Sequence, residues 1–392
     1  MLRKVLVMCL ADPSRDPRPF RAAELCSSQG FDVSVLGYTT KQSFDVQSYY
    51  PLSQPSGSFF NKVLRRFWGV ACAFLPFERG RIYCENRRFG LTEAEKQLAK
   101  ENFDLLIVED LQLLPLAFAI KVDGKILFDA REYYPRQNEG EIWFEMFERK
   151  RRLQLCEDYL TRCEAVVTVS EGLQREYLKE FGVAAEVYRS TPSYVDFPVQ
   201  PVNPERIRMV YHGAANRNRR IENFIEIVSL LDERFSLDLI LIGNPRYQDE
   251  LRRKAASMSN VDFPKTVPFD QIIPTIGQYD IGLCYFEPTT FNLQHCLPNK
   301  FFEYMQARLM IAIGPTPDMM TLVKEYACGV VADNFSVKDM ANVLNMLTAA
   351  DIDKGKHQSD KAARELCFEK ERKKMIDLLG RVLDNHYAEH GD

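Results

Sequence analysis

The stretch FEPTTFNLQHCLPNKFFEYMQARLMIAIG, residues 286–314, holds the side chains with the most chemistry to offer. Pro298 suits the first turn of a helix, because its ring fixes φ and its missing N–H would have no helical partner there. The backbone N–H groups that open such a helix point outward and attract an anion. Asn299 and Lys300 sit at that start, and Lys300 adds a full positive charge, so the segment suits a phosphate. Glu303, about one and a half turns in, is placed to accept hydrogen bonds from ribose hydroxyls. A helix with an ordinary surface lysine and glutamate is the plain alternative.

A second cationic group follows the apolar run at 208–212. It is the loop HGAANRNRR, with Gly213 at its start and arginines at 217, 219 and 220. A loop after a parallel strand lies at the carboxyl edge of its sheet, where doubly wound folds bind ligands. Guanidinium groups there can hold a diphosphate through paired hydrogen bonds and stabilise charge that grows on it. Any of the three arginines could serve so, and Arg217 and Arg220 suit a solvated loop equally well. His212 reads as a structural histidine satisfied at the strand end.

Two places in the first half could face a second substrate. The turn after the first apolar run reads ADPSRDPRPFR and supplies Asp16, Arg18 and Arg21. The run KILFDAREYYPRQ, residues 125–137, ends in Asp129, Arg131, Glu132 and Tyr133. Either these groups touch a substrate or they neutralise one another in an ion network.

These candidates need a scaffold, and the chain's periodicity supplies one. At about 100–200 residues per domain, 392 residues point to two domains. Hydrophobic residues at 46% and charged residues at 27% describe a packed globular chain and exclude a disordered or collagen-like one. The net charge of −4 gives no general field for gathering nucleic acid, so phosphate recognition must be local. Short apolar runs alternate with amphipathic segments, the pattern of parallel strands covered by helices. Strands are expected at 4–10, 32–36, 105–108, 125–129 and 165–169, with a helix at 20–29 stopped by Gly30. The series restarts after residues 190–204, which hold four prolines, with strands at 208–212, 237–242, 281–285, 310–313 and 329–331. A long charged helix, about 361–386, closes the chain. The expected domains are 1–195 and 205–360, with residues 361–392 packing back toward the first.

Residues 59–88 interrupt the alternation. Phe59, Phe60, Val63, Leu64, Phe67, Trp68, Ala71 and Cys72 fall at helical spacing, with Lys62 and arginines at 65, 66, 79, 81, 87 and 88 around them. A basic amphipathic helix of this kind can lie on an anionic membrane surface, or simply pack on its own domain. The ten cysteines show no CxxC spacing, which suggests reduced thiols in a cytosol. The five histidines form no metal-ligand pattern apart from His386 and His390 near the end, and Asp351 and Asp353, the single Asp-x-Asp, fall after a helix rather than at a strand end.

The 286–314 segment resembles the donor-binding signature of GT-B glycosyltransferases of the GT4 type, in which a strand and loop lead into a PNKxFEYM helix. The order of VVTVSEGL at 166–173, VYHGAANRNRRIENFI at 210–225, LILIGNP at 239–245 and VPFDQIIPTIGQYDIGL at 267–283 extends the resemblance over nearly the whole chain. The resemblance implies two doubly wound Rossmann-like domains with an interdomain cleft. The nucleotide-sugar donor, carrying UDP or GDP, would bind the C-terminal domain through Gly213, Arg217, Arg219, Asn299, Lys300 and Glu303, with Arg219, Lys300 and Glu303 acting in catalysis. A glycan or lipid-linked acceptor would meet Asp16, Arg18, Arg131 and Glu132 in the N-terminal domain. It further implies a retaining, metal-independent transfer of a hexose-like sugar with no cofactor, in polysaccharide or glycoconjugate biosynthesis, by a cytoplasmic or peripheral membrane enzyme. Two departures stand out. Many members carry a second glutamate seven residues before the ribose-binding one, where this chain has Cys296, with Glu287 upstream as a substitute. Many also have a glycine-rich loop where this chain reads ADPSRDPRPFR. A non-catalytic GT-B scaffold that binds a nucleotide sugar, or a nucleotide-sugar 2-epimerase, therefore stays open.

Overall fold

In the computed structural model, residues 2–38, 46–52, 59–75, 78–121 and 124–384 are described. They form two compact units. Unit 1 comprises Met1–Tyr188, Thr290–Asn292 and Lys374–Asp392, and unit 2 comprises Arg189–Thr289 and Leu293–Lys373.

Unit 1 is built on strands β1 (Lys4–Met8), β2 (Asp32–Tyr38), β3 (Ser48–Leu52), β4 (Leu105–Val108), β5 (Lys125–Ala130), β6 (Ala165–Thr168) and β7 (Glu186–Val187). All pair in parallel, in the order β3-β2-β1-β4-β5-β6-β7. The apolar runs are continuous because both faces of the sheet are covered. On β1, Val5 and Val7 pack with Val33, Val35, Met375, Leu378 and Leu379 on one face, while Leu6 and Met8 join Leu36, Leu106 and Phe128 on the other. Strand β3 carries Pro51, which a sheet tolerates at its edge because no ladder donor is needed there, and that proline hid the strand in the sequence. The first helix spans Pro17–Ser28, with Asp16 as its N-cap accepting from the Arg18 N–H.

Unit 2 has strands β8 (Ile207–Ala214), β9 (Phe235–Ile242), β10 (Val261–Asp262), β11 (Ile281–Cys284), β12 (Met310–Ile313) and β13 (Gly329–Val331), again all parallel, in the order β10-β9-β8-β11-β12-β13. Tyr211 and Leu283 face one core of this sheet and Val210 and Ile311 the other. In both units the strand order reverses direction beside the first strand, β1 or β8, which marks the carboxyl ends of β1 and β4, and of β8 and β11, as the places where ligands bind.

The closing helix departs from expectation. Two helices, Ala349–Glu365 and Phe368–Asp384, replace the single one expected at 361–386, and the chain breaks at Leu366 and Cys367, both buried. His386 and His390 lie outside the described residues.

The basic segment forms helices Phe59–Phe74 and Glu78–Phe89. Its apolar residues do not share one surface. Cys72 is buried, whereas Val63, Phe67 and Phe74 are exposed, as are Ile142 and Met146 from a later segment. The arginines divide similarly. Arg81 pairs with Asp158 at 2.6 Å and Arg88 with Glu148 at 2.7 Å, so these two fasten the helices internally, while Arg66 and Arg79 are exposed. The side chains of Phe59, Phe60 and Lys62 lie outside the described residues. Among the described residues no helix is long and apolar enough to cross a membrane, and all ten cysteines are free thiols.

Candidate functional site

The carboxyl edge of the unit 2 sheet gathers several of the residues singled out above. Strand β8 carries Tyr211, His212 and Gly213 near its end, and Gly213 has φ of +125°, a conformation that side chains disfavour. A Cβ there would also stand 3.1 Å from Nζ of Lys300, so glycine makes room for the lysine. The helix Asn299–Gln306 starts behind Pro298, which serves as the N-cap rather than the first helical residue, and Asn299 is exposed at that start. Lys300 turns toward β8 and sets its ammonium 3.7 Å from the ring centre of Tyr211. Burial lowers the lysine to about 8, and the nearby charge of Arg219 pushes the same way.

Glu303 is buried, so the plain alternative of a surface glutamate does not hold, because its helix turns it toward β8 rather than solvent. Its Oε2 lies 3.2 Å from Nε2 of His212. Burial, with Lys300 nearby, lowers His212 to about 3, so the imidazole is neutral at ordinary pH. His212, read from sequence as a satisfied structural residue, thus belongs to this group, and its Nε2 has no aligned hydrogen bond.

Arg219 places its guanidinium 4.0 Å from the ring centre of Phe286, and its Nη1 is buried without a hydrogen-bond partner. The other arginines of the loop point elsewhere. Arg217 reaches Glu250 at 2.6 Å and stacks 4.5 Å from Tyr247. Arg220, at φ of +44°, pairs with Glu287 at 3.2 Å in an exposed contact, which ties up the carboxylate considered as a substitute for Cys296. The site therefore holds Gly213, Arg219, Lys300 and Glu303 together, with Arg217 turned onto a neighbouring helix. Cys284 and Cys296 lie beside the two cations. A lysine and an arginine facing rings, thiols and a neutral imidazole, next to a helix N-terminus and with the Glu303 carboxylate near the lysine, carry one positive charge more than that carboxylate offsets and so suit an anion.

Unit 1 is arranged otherwise. Arg18 is buried and binds Asp129 in a fork, Nε to Oδ2 at 2.5 Å and Nη2 to Oδ1 at 2.8 Å, and also donates to the Tyr188 carbonyl at 3.0 Å. All of these contacts tie its guanidinium within unit 1. Arg131 contacts Asp16 at 2.6 Å, Asp110 at 3.6 Å and Glu109 at 3.8 Å. Burial raises the carboxyl of Glu132, which follows it. Glu109, missed in the sequence because it directly follows the apolar run of β4, is fully buried, and neither carboxyl oxygen has a hydrogen-bond partner. Burial, with Asp129 close by, raises its carboxyl well above the ordinary range. The ion network that was one of two readings of this strand end is thus present.

Residues 206–349 match the family described as Glycosyl transferases group 1. Solved structures share the fold over almost the whole chain. A sucrose-phosphate synthase from Thermosynechococcus elongatus superposes with a TM-score of 0.72 at 12% identity, covering 98% of this chain and 100% of that one. An α,α-trehalose-phosphate synthase (UDP-forming) from Burkholderia vietnamiensis gives 0.66 at 13% identity, covering 99% and 98%. The Anabaena protein HepE, solved with UDP and glucose, gives 0.64 at 10% identity, covering 97% and 100%. A search of curated proteins finds no matching relative.

Proposed function

We propose, for a chain that is a group 1 glycosyltransferase by its residues 206–349 and GT-B in its fold, that unit 2 binds a nucleotide-sugar donor carrying UDP or GDP and that the sugar passes to a glycan or lipid-linked acceptor held by unit 1. The observation that carries this reading is the pair Arg219 and Lys300 at the carboxyl end of β8, with no carboxylate tied to either cation by an ion pair among the described residues. A diphosphate brings the negative charge that these cations lack. Positive charge already in place also stabilises the leaving diphosphate as the glycosidic bond breaks, when its charge grows. Glu303 holds the ribose hydroxyls.

The transfer is retaining and needs neither metal ion nor cofactor, since Arg219, Lys300 and the helix N-terminus carry the charge a divalent cation would otherwise supply. Asp16, Arg131 and Glu132 offer polar edges to a hydroxyl-rich acceptor. Exposed Phe67, Phe74, Ile142 and Met146, with Arg66 and Arg79, suit an anionic membrane surface, which supports a reading of the enzyme as cytoplasmic or peripheral to a membrane and acting in glycoconjugate or polysaccharide biosynthesis. The test is hydrolysis and transfer from a panel of UDP-, GDP- and ADP-sugars. At least one donor should be turned over, and Arg219→Ala should depress turnover more than donor binding. A protein that binds a nucleotide sugar and turns none over is instead the non-catalytic form of this fold.

A further inference from the structure

His212 stands between the phosphate and the ribose contacts of unit 2, since it feels the charge of Lys300 and its ring reaches Glu303. The ring projects from β8 and meets the ring of Tyr304, on the helix Asn299–Gln306, edge-on with centres 5.3 Å apart. Tyr304 is itself fixed, because it is fully buried and its hydroxyl donates to the carbonyls of Val210 and Leu283 at 3.4 and 3.3 Å. The imidazole is thus packed in place with Nε2 3.2 Å from Oε2 of Glu303. Two lone pairs at that distance would repel, so the single hydrogen of the neutral ring is on Nε2. That N–H is buried and has no aligned acceptor among the described residues. A buried donor left without a partner costs stability, and Oε2 of Glu303 is the acceptor beside it.

The neutrality of the ring suits this place. An imidazolium would neutralise Glu303, whereas a neutral N–H steadies one oxygen and leaves the carboxylate its charge for hydroxyl donors. Hydrogen bonds of this kind are often poorly aligned in a free protein and tighten when the ligand is bound. We propose that His212 is the positioning residue of Glu303: as the ribose hydroxyls engage the carboxylate, Nε2–H closes on Oε2 and sets the orientation in which Glu303 receives them. This inference rests on the reading of Glu303 as the ribose contact. It makes His212 a determinant of the preference for ribose over a sugar without those hydroxyls, because a site built to bond a hydroxyl discriminates against a ligand that lacks it.

Calorimetry with UDP or GDP, whichever the unaltered protein binds, and with its analogue lacking both ribose hydroxyls tests the pair. His212→Phe should weaken the ribonucleotide about tenfold and leave the analogue within about twofold. His212→Gln, whose amide N–H can still donate, should recover part of the loss. On a Glu303→Ala background, His212→Phe should bring no further loss, a non-additivity that a merely structural histidine would not produce. Unchanged affinity of His212→Phe for the ribonucleotide, or an equal loss for ribonucleotide and analogue, overturns the assignment, as does a full further loss on the Glu303→Ala background. If the unaltered protein binds ribonucleotide and analogue alike, or neither, the reading of Glu303 fails and this inference falls with it. Thermal melting identifies a misfolded variant, and the smaller His212→Leu then takes the place of His212→Phe.

Discussion

The two sheets end in opposite electrostatic arrangements. At the carboxyl edge of unit 1, Arg18 and Arg131 meet Asp129, Asp16, Asp110 and Glu109. At the corresponding edge of unit 2, Arg219 and Lys300 meet aromatic rings, thiols and a neutral histidine, and the nearby Glu303 carboxylate forms no ion pair with either cation among the described residues. Fold and edge are alike, so the difference lies in the partners. A neutralised arginine fastens structure and leaves a polar surface with no net call for anions. An uncompensated one stores an attraction that a ligand's charge can satisfy. The same residue type therefore reads as architecture in one unit and as a binding group in the other.

The largest effect that would break this contrast lies in unit 1. Arg18→Ala leaves Asp129 buried without its partner, and removal of one member of a buried pair costs about 3–5 kcal/mol. Chemical denaturation should show that loss, and a change under about 1 kcal/mol would show that Arg18 is not structural. In unit 2, Glu303→Ala should weaken nucleotide binding by about 1.5–3 kcal/mol, the value of a hydrogen bond to a charged group. Calorimetry with the free nucleotide reads this, and unchanged affinity removes Glu303 from the donor site.

A smaller and sharper effect comes from pH. Lys300, lowered to about 8, is charged below that value and neutral above it. An anion binds the charged form, so affinity for a nucleoside diphosphate should be flat from about pH 7 and fall as pH rises through 8, by at most about tenfold per unit. Lys300→Met should abolish that fall. His212, lowered to about 3, stays neutral through this window and contributes nothing to it.

The smallest effect concerns a comparison inside unit 1, between arginines that fasten helices and arginines that face outward. Exchanging Arg66 and Arg79 for Ser should reduce sedimentation with anionic vesicles by about 1 kcal/mol per charge and leave folding and donor hydrolysis intact. Arg81→Ser should instead lower stability, because it removes the partner of Asp158. If the unaltered protein does not sediment with such vesicles at low salt, the exposed apolar face has another role.

The sequence alone determined the alternation of strands and helices, because strands buried on both faces must be apolar runs and the helices between them must be amphipathic. Strands β4, β12 and β13 fall where the runs place them, and the spacing of Pro298, Lys300 and Glu303 already put a cation and a carboxylate near one helix start. The edge strands β3, β7 and β10 were hidden, since two-residue strands and a proline-bearing one leave almost no periodic signal. Only the tertiary structure decided which charges are paired. Arg18 finds Asp129 across 111 positions and His295 finds Asp318 across 23, while Arg217 and Arg219, two residues apart, face different surroundings. A side chain's partner depends on which elements the topology brings side by side and on the turn of the backbone beneath it. Neither is carried by local spacing, so whether a cation is fastened or available is settled only when the chain is folded.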